Sequence, residues 1–220
     1  MVIQKIKIKR LMKKLFKITI FILLLACVDD SAHGPYGSDN TPPGVVDINE
    51  VVNTPGGAII YFTPPNDSDL LYVKASFTDE NEIDREVIVS SVIDSLSIVG
   101  FAEQGNYPVD VFAVDRGENE SEAVQVTISP LEAPIHAILN SIVGTQDFGG
   151  INIAYQNPTR AEVSLNMSTI DDEGNIVFRE SFYTSQADSY YSFRGYDAEP
   201  TIFVIYVEDK WGNQTTTRSF

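Results

Sequence analysis

A chain of 220 residues with 31 acidic residues against 15 basic ones carries a formal net charge of −16 at pH 7. Such a field repels phosphate backbones, which proteins hold through Lys and Arg, so nucleic acid is excluded as a partner. A single cysteine and two histidines leave no ligand set for zinc.

The first 26 residues carry seven of the basic residues and no acid, and they end in the apolar run Ile18 to Leu25. A basic stretch followed by a short apolar one is the pattern of a secretory signal. This run of eight residues, Thr19 included, falls short of the roughly 20 apolar residues that cross a bilayer. The string Leu24-Leu25-Ala26-Cys27 resembles a bacterial lipobox. That resemblance implies a lipoprotein signal peptide over residues 1–26, cleavage after Ala26 and lipidation of Cys27. An ordinary signal peptide cut at the same bond is the other reading. A lone thiol has little use in a secreted protein, which favours the lipid. Without the leader, eight basic residues face 31 acidic ones, a net charge of −23.

Residues 27–43, rich in Gly, Ser, Pro and Asp, lack the apolar content to bury a core and read as a flexible tether. Its acids just after Cys27 resemble the export signal for the outer face of the outer membrane in some gut Gram-negative bacteria. A plain solvated linker is the alternative.

The remainder repeats itself. Gly56-Gly57-Ala58-Ile59-Ile60-Tyr61 returns as Gly149-Gly150-Ile151-Asn152-Ile153-Ala154 at an offset of 93, and Gly100-Phe101 returns as Gly195-Tyr196 at 95. Asp115 and Asn119 return as Asp209 and Asn213, both at 94. Two domains follow, over residues 44–130 and 135–220, separated where Pro130 and Pro134 interrupt strand pairing. Each reads as strands. Val163, Leu165 and Met167 alternate with Glu162, Ser164, Asn166 and Ser168, the period of a half-buried antiparallel strand. No stretch after the leader sustains a helical period. About seven strands per copy predict an all-β chain of two tandem β-sandwiches.

In the first copy, Phe62-Thr63-Pro64-Pro65 and Tyr107-Pro108-Val109-Asp110-Val111-Phe112-Ala113-Val114-Asp115 resemble a fibronectin type III domain. By that resemblance Tyr107 is a tyrosine corner, its hydroxyl bonded to backbone near the turn between strands E and F. The second copy has Thr201 at the matching position and lacks the corner. More narrowly, Asn53-Thr54-Pro55-Gly56-Gly57-Ala58, Leu70-Leu71-Tyr72-Val73-Lys74-Ala75 and Asp209-Lys210-Trp211-Gly212-Asn213 look like the first two domains of surface lipoproteins from glycan-foraging gut bacteria. Those uncharacterised-domain families stand beside starch-utilisation-type outer-membrane importers and usually continue into a discoidin-like domain. By the repeat offset, the last strand of this chain is expected to run to about residue 222, which would leave the second sandwich cut short.

The chemistry-bearing residues are sparse. With His33 in the tether and His136 at the start of the second copy, no residue pattern offers a histidine base beside a nucleophile. No catalytic residue and no cofactor is expected. Asp67, Asp69, Asp171 and Asp172 form the densest acidic clusters and are weak calcium candidates without EF-hand spacing. Carboxylate pairs for glycoside chemistry read better as solvated turn residues. Exposed aromatics are how a β-sandwich stacks on sugars, and Trp211, Tyr190 and Tyr191 are the candidates. Trp211 leads, because the first copy needs no aromatic there.

The sequence therefore predicts a non-catalytic, lipid-anchored protein of the outer membrane, exposed at the cell surface or on the periplasmic face. Its expected job is that of a spacer or accessory in polysaccharide utilisation, presenting a distal binding domain. A glycan-binding module is the alternative, with calcium-dependent adhesion or glycoside activity further behind. Its expected partners are the membrane and either glycan or an importer complex.

Overall fold

The computed structural model describes residues 40–197 and 199–220, so the leader, Cys27 and the tether up to residue 39 lie outside the described residues. Thr41–Asp115 and Asn119–Phe220 belong to one compact unit. Alternating apolar and polar side chains place the first half in seven strands: β1 (Asp47–Thr54), β2 (Gly57–Thr63), β3 (Leu70–Thr78), β4 (Asp84–Ser90), β5 (Ser95–Val99), β6 (Tyr107–Asp115) and β7 (Val124–Ile128). They pair antiparallel as one sheet in the order β1-β2-β5 and another in the order β4-β3-β6-β7. Inward rows such as Ile60 and Phe62, Val73 and Ala75, Leu96 and Ile98, and Val109 and Val111 close the core between the sheets.

The second half repeats this arrangement with β8 (Val143–Asp147), β9 (Gly150–Gln156), β10 (Val163–Ile170), β11 (Ile176–Thr184), β12 (Asp188–Arg194), β13 (Phe203–Asp209) and β14 (Arg218–Ser219). Its sheets run β12-β9-β8 and β11-β10-β13-β14. The chain is two β-sandwiches in tandem.

Two features depart from the sequence reading. An α-helix, α1 (Pro134–Ser141), opens the second sandwich where no helix was expected. Its cause is visible in the residues. Pro134 presets the first helical turn, and Ile135, Ile138, Leu139 and Ile142 follow at helical spacing into the second core. The run was too short to register as periodic. Arg218 donates to the Leu139 and Asn140 carbonyls, each at 3.1 Å, tying the helix end to β14, while the Leu139 carbonyl also accepts the Ile142 amide at 3.2 Å. The second departure is β10, which is buried on both faces rather than half-buried. It lies between β11 and β13, where Ser164 faces Tyr183 and Glu208 across the ladder and Asn166 faces Ser181 and Tyr206. Those neighbours shade the outer row. Asn166 stays satisfied by donating to Ser164 Oγ at 2.9 Å and accepting from Ser181 Oγ at 2.5 Å.

The connection between the sandwiches is tied to the first one. Leu131 N donates to the Thr54 carbonyl and Gly56 N to the Leu131 carbonyl, both at 3.0 Å, so the two prolines flank a bridged segment. Within the first sandwich, Tyr107 donates from its hydroxyl to the Glu103 carbonyl at 3.1 Å, and its ring lies 4.3 Å from that of Phe101. Burial and the nearby Glu80 carboxylate raise the Tyr107 pKa. Tyr107→Phe should lower stability by about 1 kcal/mol, the worth of one such hydrogen bond, measured as a shift in the denaturant midpoint.

Asp147, the last residue of β8, accepts from Arg194 Nε and Nη2, both at 2.9 Å on one carboxylate oxygen. That contact, with help from Ser192 and the Phe148 amide, holds its pKa down at about 2, below the ordinary 3.8. A depressed folded-state pKa gives stability that is complete above the ordinary value and is lost as pH falls through about 2. Asp147→Asn should therefore reduce the pH dependence of stability between pH 4 and pH 2, as followed by melting curves across that range, and leave its slope above pH 5 unchanged.

Candidate functional site

The turn between β13 and β14 carries the site. Asp209 accepts the amides of Trp211 at 2.9 Å and Asn213 at 3.0 Å on one carboxylate oxygen, and the Asn213 side-chain amide at 2.9 Å on the other. One aspartate thus closes the loop by itself. With the loop fixed, the second hydrogen of the Asn213 side-chain amide donates to the Gly100 carbonyl of the first sandwich at 3.0 Å. The indole of Trp211 follows it across. A methyl group on Gly100 would lie 3.1 Å from Trp211 Cγ, so the ring rests directly against that glycine. Lys210 covers the ring from 4.9 Å and reaches the Glu162 carboxylate at 2.8 Å, which lowers the Glu162 pKa. Trp211 remains 37 % exposed. A cavity of about 470 Å³ borders the joint, lined by Pro55, Val99, Pro134, Arg160, Lys210 and Trp211.

Gly100 can receive the ring because of its own backbone. It adopts φ of +105° and Gly56 φ of +68°, values that L side chains rarely take. The Gly56 carbonyl then accepts both the Gly100 and the Phe101 amides at 3.1 Å, which folds the turn between β1 and β2 against the end of β5.

The three aromatic candidates are not brought together. Trp211 is at the joint. Tyr191 turns inward, stacked on Phe182 at 4.1 Å and edge-on to Phe193 at 4.9 Å, and packs against the second core. Tyr190, its neighbour on β12, points the other way and is 73 % exposed on the outer face. No single surface uses all three.

The acidic candidates fold back on their own loops. Asp171 accepts the Glu173 and Asn175 amides at 3.0 and 2.7 Å and the Asn175 side chain at 3.1 Å, bonds that lower its pKa. Asp172 beside it is exposed. Asp67 accepts the Asp69 amide at 3.4 Å. The Asp69 pKa is raised by its hydrogen bond with Asp67, by burial and by the charges of Asp67 and Asp115. Among the described residues, no three His, Cys, Asp or Glu side chains converge as a cation site.

A groove on the second sandwich escaped the sequence reading. The outer face of β10, β11 and β13 holds a space of about 710 Å³ lined by Ser164, Asn166, Tyr183, Gln186, Glu208 and Lys210, among others. Tyr183 is 77 % exposed there. Its partners come from strands far apart in sequence. The available signal was the row of small polar residues on β10, whose burial required a covered outer face.

Two family models match the chain. Residues 43–130 match the family model described as Domain of unknown function (DUF4959), and residues 131–220 match Domain of unknown function (DUF5126). Each half of the chain is similar to one of these two domain families in tandem. No curated protein matches the chain. Among solved structures, a two-domain fibronectin type III segment of chicken tenascin is 12 % identical, with 82 % of this chain and 98 % of that chain covered and a TM-score of 0.35. The chicken CNTN1 FN1-FN3 domains are 15 % identical over 83 % of this chain and 68 % of that one, with a TM-score of 0.33. These likenesses concern fold alone.

Trp211→Ala should cost about 1–2 kcal/mol, less than a fully buried aromatic would, because over a third of the residue is already in water. Asn213→Ala should add to the loss by leaving the Gly100 carbonyl without its donor. Calorimetry should show the two sandwiches melting as one transition in the parent chain and as two in the double variant.

Proposed function

We propose that this chain is a non-catalytic spacer and accessory protein, held at a bacterial outer membrane by lipid on Cys27 and presenting a binding domain away from the membrane in polysaccharide uptake. The observation that carries this reading is the joint. A protein that only needed two independent binding modules would leave them on a loose linker, the default for domains of this size. Here the connection is bridged to Thr54 and Gly56, and Trp211 and Asn213 fasten the next sandwich onto Gly100. A fastened joint transmits position, which is what a spacer must do. The tether composition of residues 27–43 and the mature charge of −23 suit a surface protein that stands clear of anionic headgroups.

A glycan-binding role is the second reading, and one observation favours it. The groove beside Tyr183 combines an exposed ring with the side chains of Gln186, Glu208 and Lys210, the mixture of flat apolar face and polar edge that recognises a neutral polyhydroxylated ring. Burial and Glu208 raise the pKa of Tyr206, which faces Asn166 across the ladder.

Two measurements test these readings. Cys27→Ala should move the protein from the membrane fraction to the soluble one, since the attached acyl chains supply the stable anchoring. Retention in carbonate-washed membranes would overturn the lipid anchor. Titration of the mature chain with a panel of neutral oligosaccharides should leave its melting temperature unchanged. Stabilisation that disappears in Tyr183→Ala would move the assignment to the glycan-binding module.

A further inference from the structure

The second sandwich repeats the surface on which the first one receives Trp211, and in the second that surface is uncovered. Gly149 and Gly195 take φ of +60° and +100°, as Gly56 and Gly100 take +68° and +105°. The Gly149 carbonyl accepts the Gly195 and Tyr196 amides at 3.0 Å, the same pair of bonds that Gly56 accepts from Gly100 and Phe101. Gly57 and Gly150 behind them are equally crowded, each with no room for a Cβ against the facing strand's carbonyl, of Ile98 in one case and Phe193 in the other. The two platforms are therefore the same local structure.

They differ in what lies on top. A methyl group at Gly100 would strike the Trp211 ring, whereas at Gly195 it would meet nothing within 4 Å. Pro55, next to Gly56, is bridged by the Leu131 segment. Its counterpart Phe148 is 92 % exposed, the most exposed of the large apolar residues among those described. A cavity of about 760 Å³ opens beside it, lined by Phe148, Tyr196, Pro200 and Phe220 and rimmed by Asp197 and Glu199.

We propose that this platform is a docking surface for a β-turn carrying an aromatic residue beside a basic one, presented by a partner β-sandwich, its ring seated as Trp211 is seated on the first sandwich. The aromatic ring would lie over Gly195 and against Phe148, and the adjacent cation would meet the acidic rim. The intramolecular joint is the template for each element: a glycine that leaves room for the ring, a carbonyl for the turn's asparagine to reach, and a cation stacked on the ring. The inference stands independently of the lipid anchor and of the Tyr183 groove.

The test uses the mature chain, labelled with ¹⁵N, and a disulfide-closed hairpin peptide that copies residues 207–215, its register verified by its own NOEs. Amide shifts centred on Gly149, Gly195 and Tyr196 are expected, with a Kd on the order of 1 mM for so small a contact. The same peptide with alanine for tryptophan should give none. Phe148→Ala, a substitution at an exposed position, should weaken binding roughly tenfold, as loss of an aromatic anchor does. Absence of shifts at several times that concentration, shifts centred elsewhere, or equal shifts from the alanine peptide would overturn the proposal. Shifts at these amides from maltose but not from the peptide would also overturn it, by assigning the platform to a sugar.

Discussion

One carbonyl that accepts two amides organises each sandwich at the end where a neighbour can attach. Gly56 and Gly100 in the first copy, and Gly149 and Gly195 in the second, put a sharp turn and the end of the facing strand into direct backbone contact. Only a residue without Cβ holds these dihedrals cheaply, and the same lack of Cβ leaves backbone bare on the outside. Bare backbone is what a flat ring can approach closely. The glycine pair thus serves two ends at once, closing its own domain and preparing the seat for the next.

Aspartate does the corresponding work on the other side of the joint. Asp79, Asp171 and Asp209 each accept amides two and four residues ahead, so their carboxylates are committed to shaping loops. Asp79 shows how far this goes. Burial would push its pKa up, yet the Ile83 amide, the Arg85 side chain at 2.7 Å and the Asn81 amide outweigh that and lower it. Much of what reads as a cation-binding surface in the sequence is therefore loop construction. The remaining exposed acids give the surface its charge and little ligand geometry.

The copies diverge where function can differ. Both keep the Asp to Asn loop closure, Asp115 with Asn119 and Asp209 with Asn213. Only the second adds an indole inside it, and that indole joins the Asn213 hydrogen bond in fastening the pair. The second copy also exchanges its first edge strand for α1 and a shorter β8, which places Ile135, Ile138 and Leu139 over one end of its core. The two copies share the frame and differ at the joint and on the outer faces.

The two-sandwich fold was legible because the strand period, the turn clusters and the 94-residue repeat are all local or translational signals in the sequence. The matched glycines were legible too, since their dihedral demand belongs to the residue itself. The short helix was legible only in principle, its four apolar positions being too few to stand out. What the sequence could not decide was which face a side chain would share. Trp211 on a turn reads as a free ring until Gly100, more than a hundred residues earlier, is placed beneath it. Tyr183 reads as one more alternating residue until β10 and β13 bring Asn166 and Glu208 beside it. Local preference acts over a few residues, whereas a surface is assembled by strand pairing across the whole chain, and only the folded structure fixes that register.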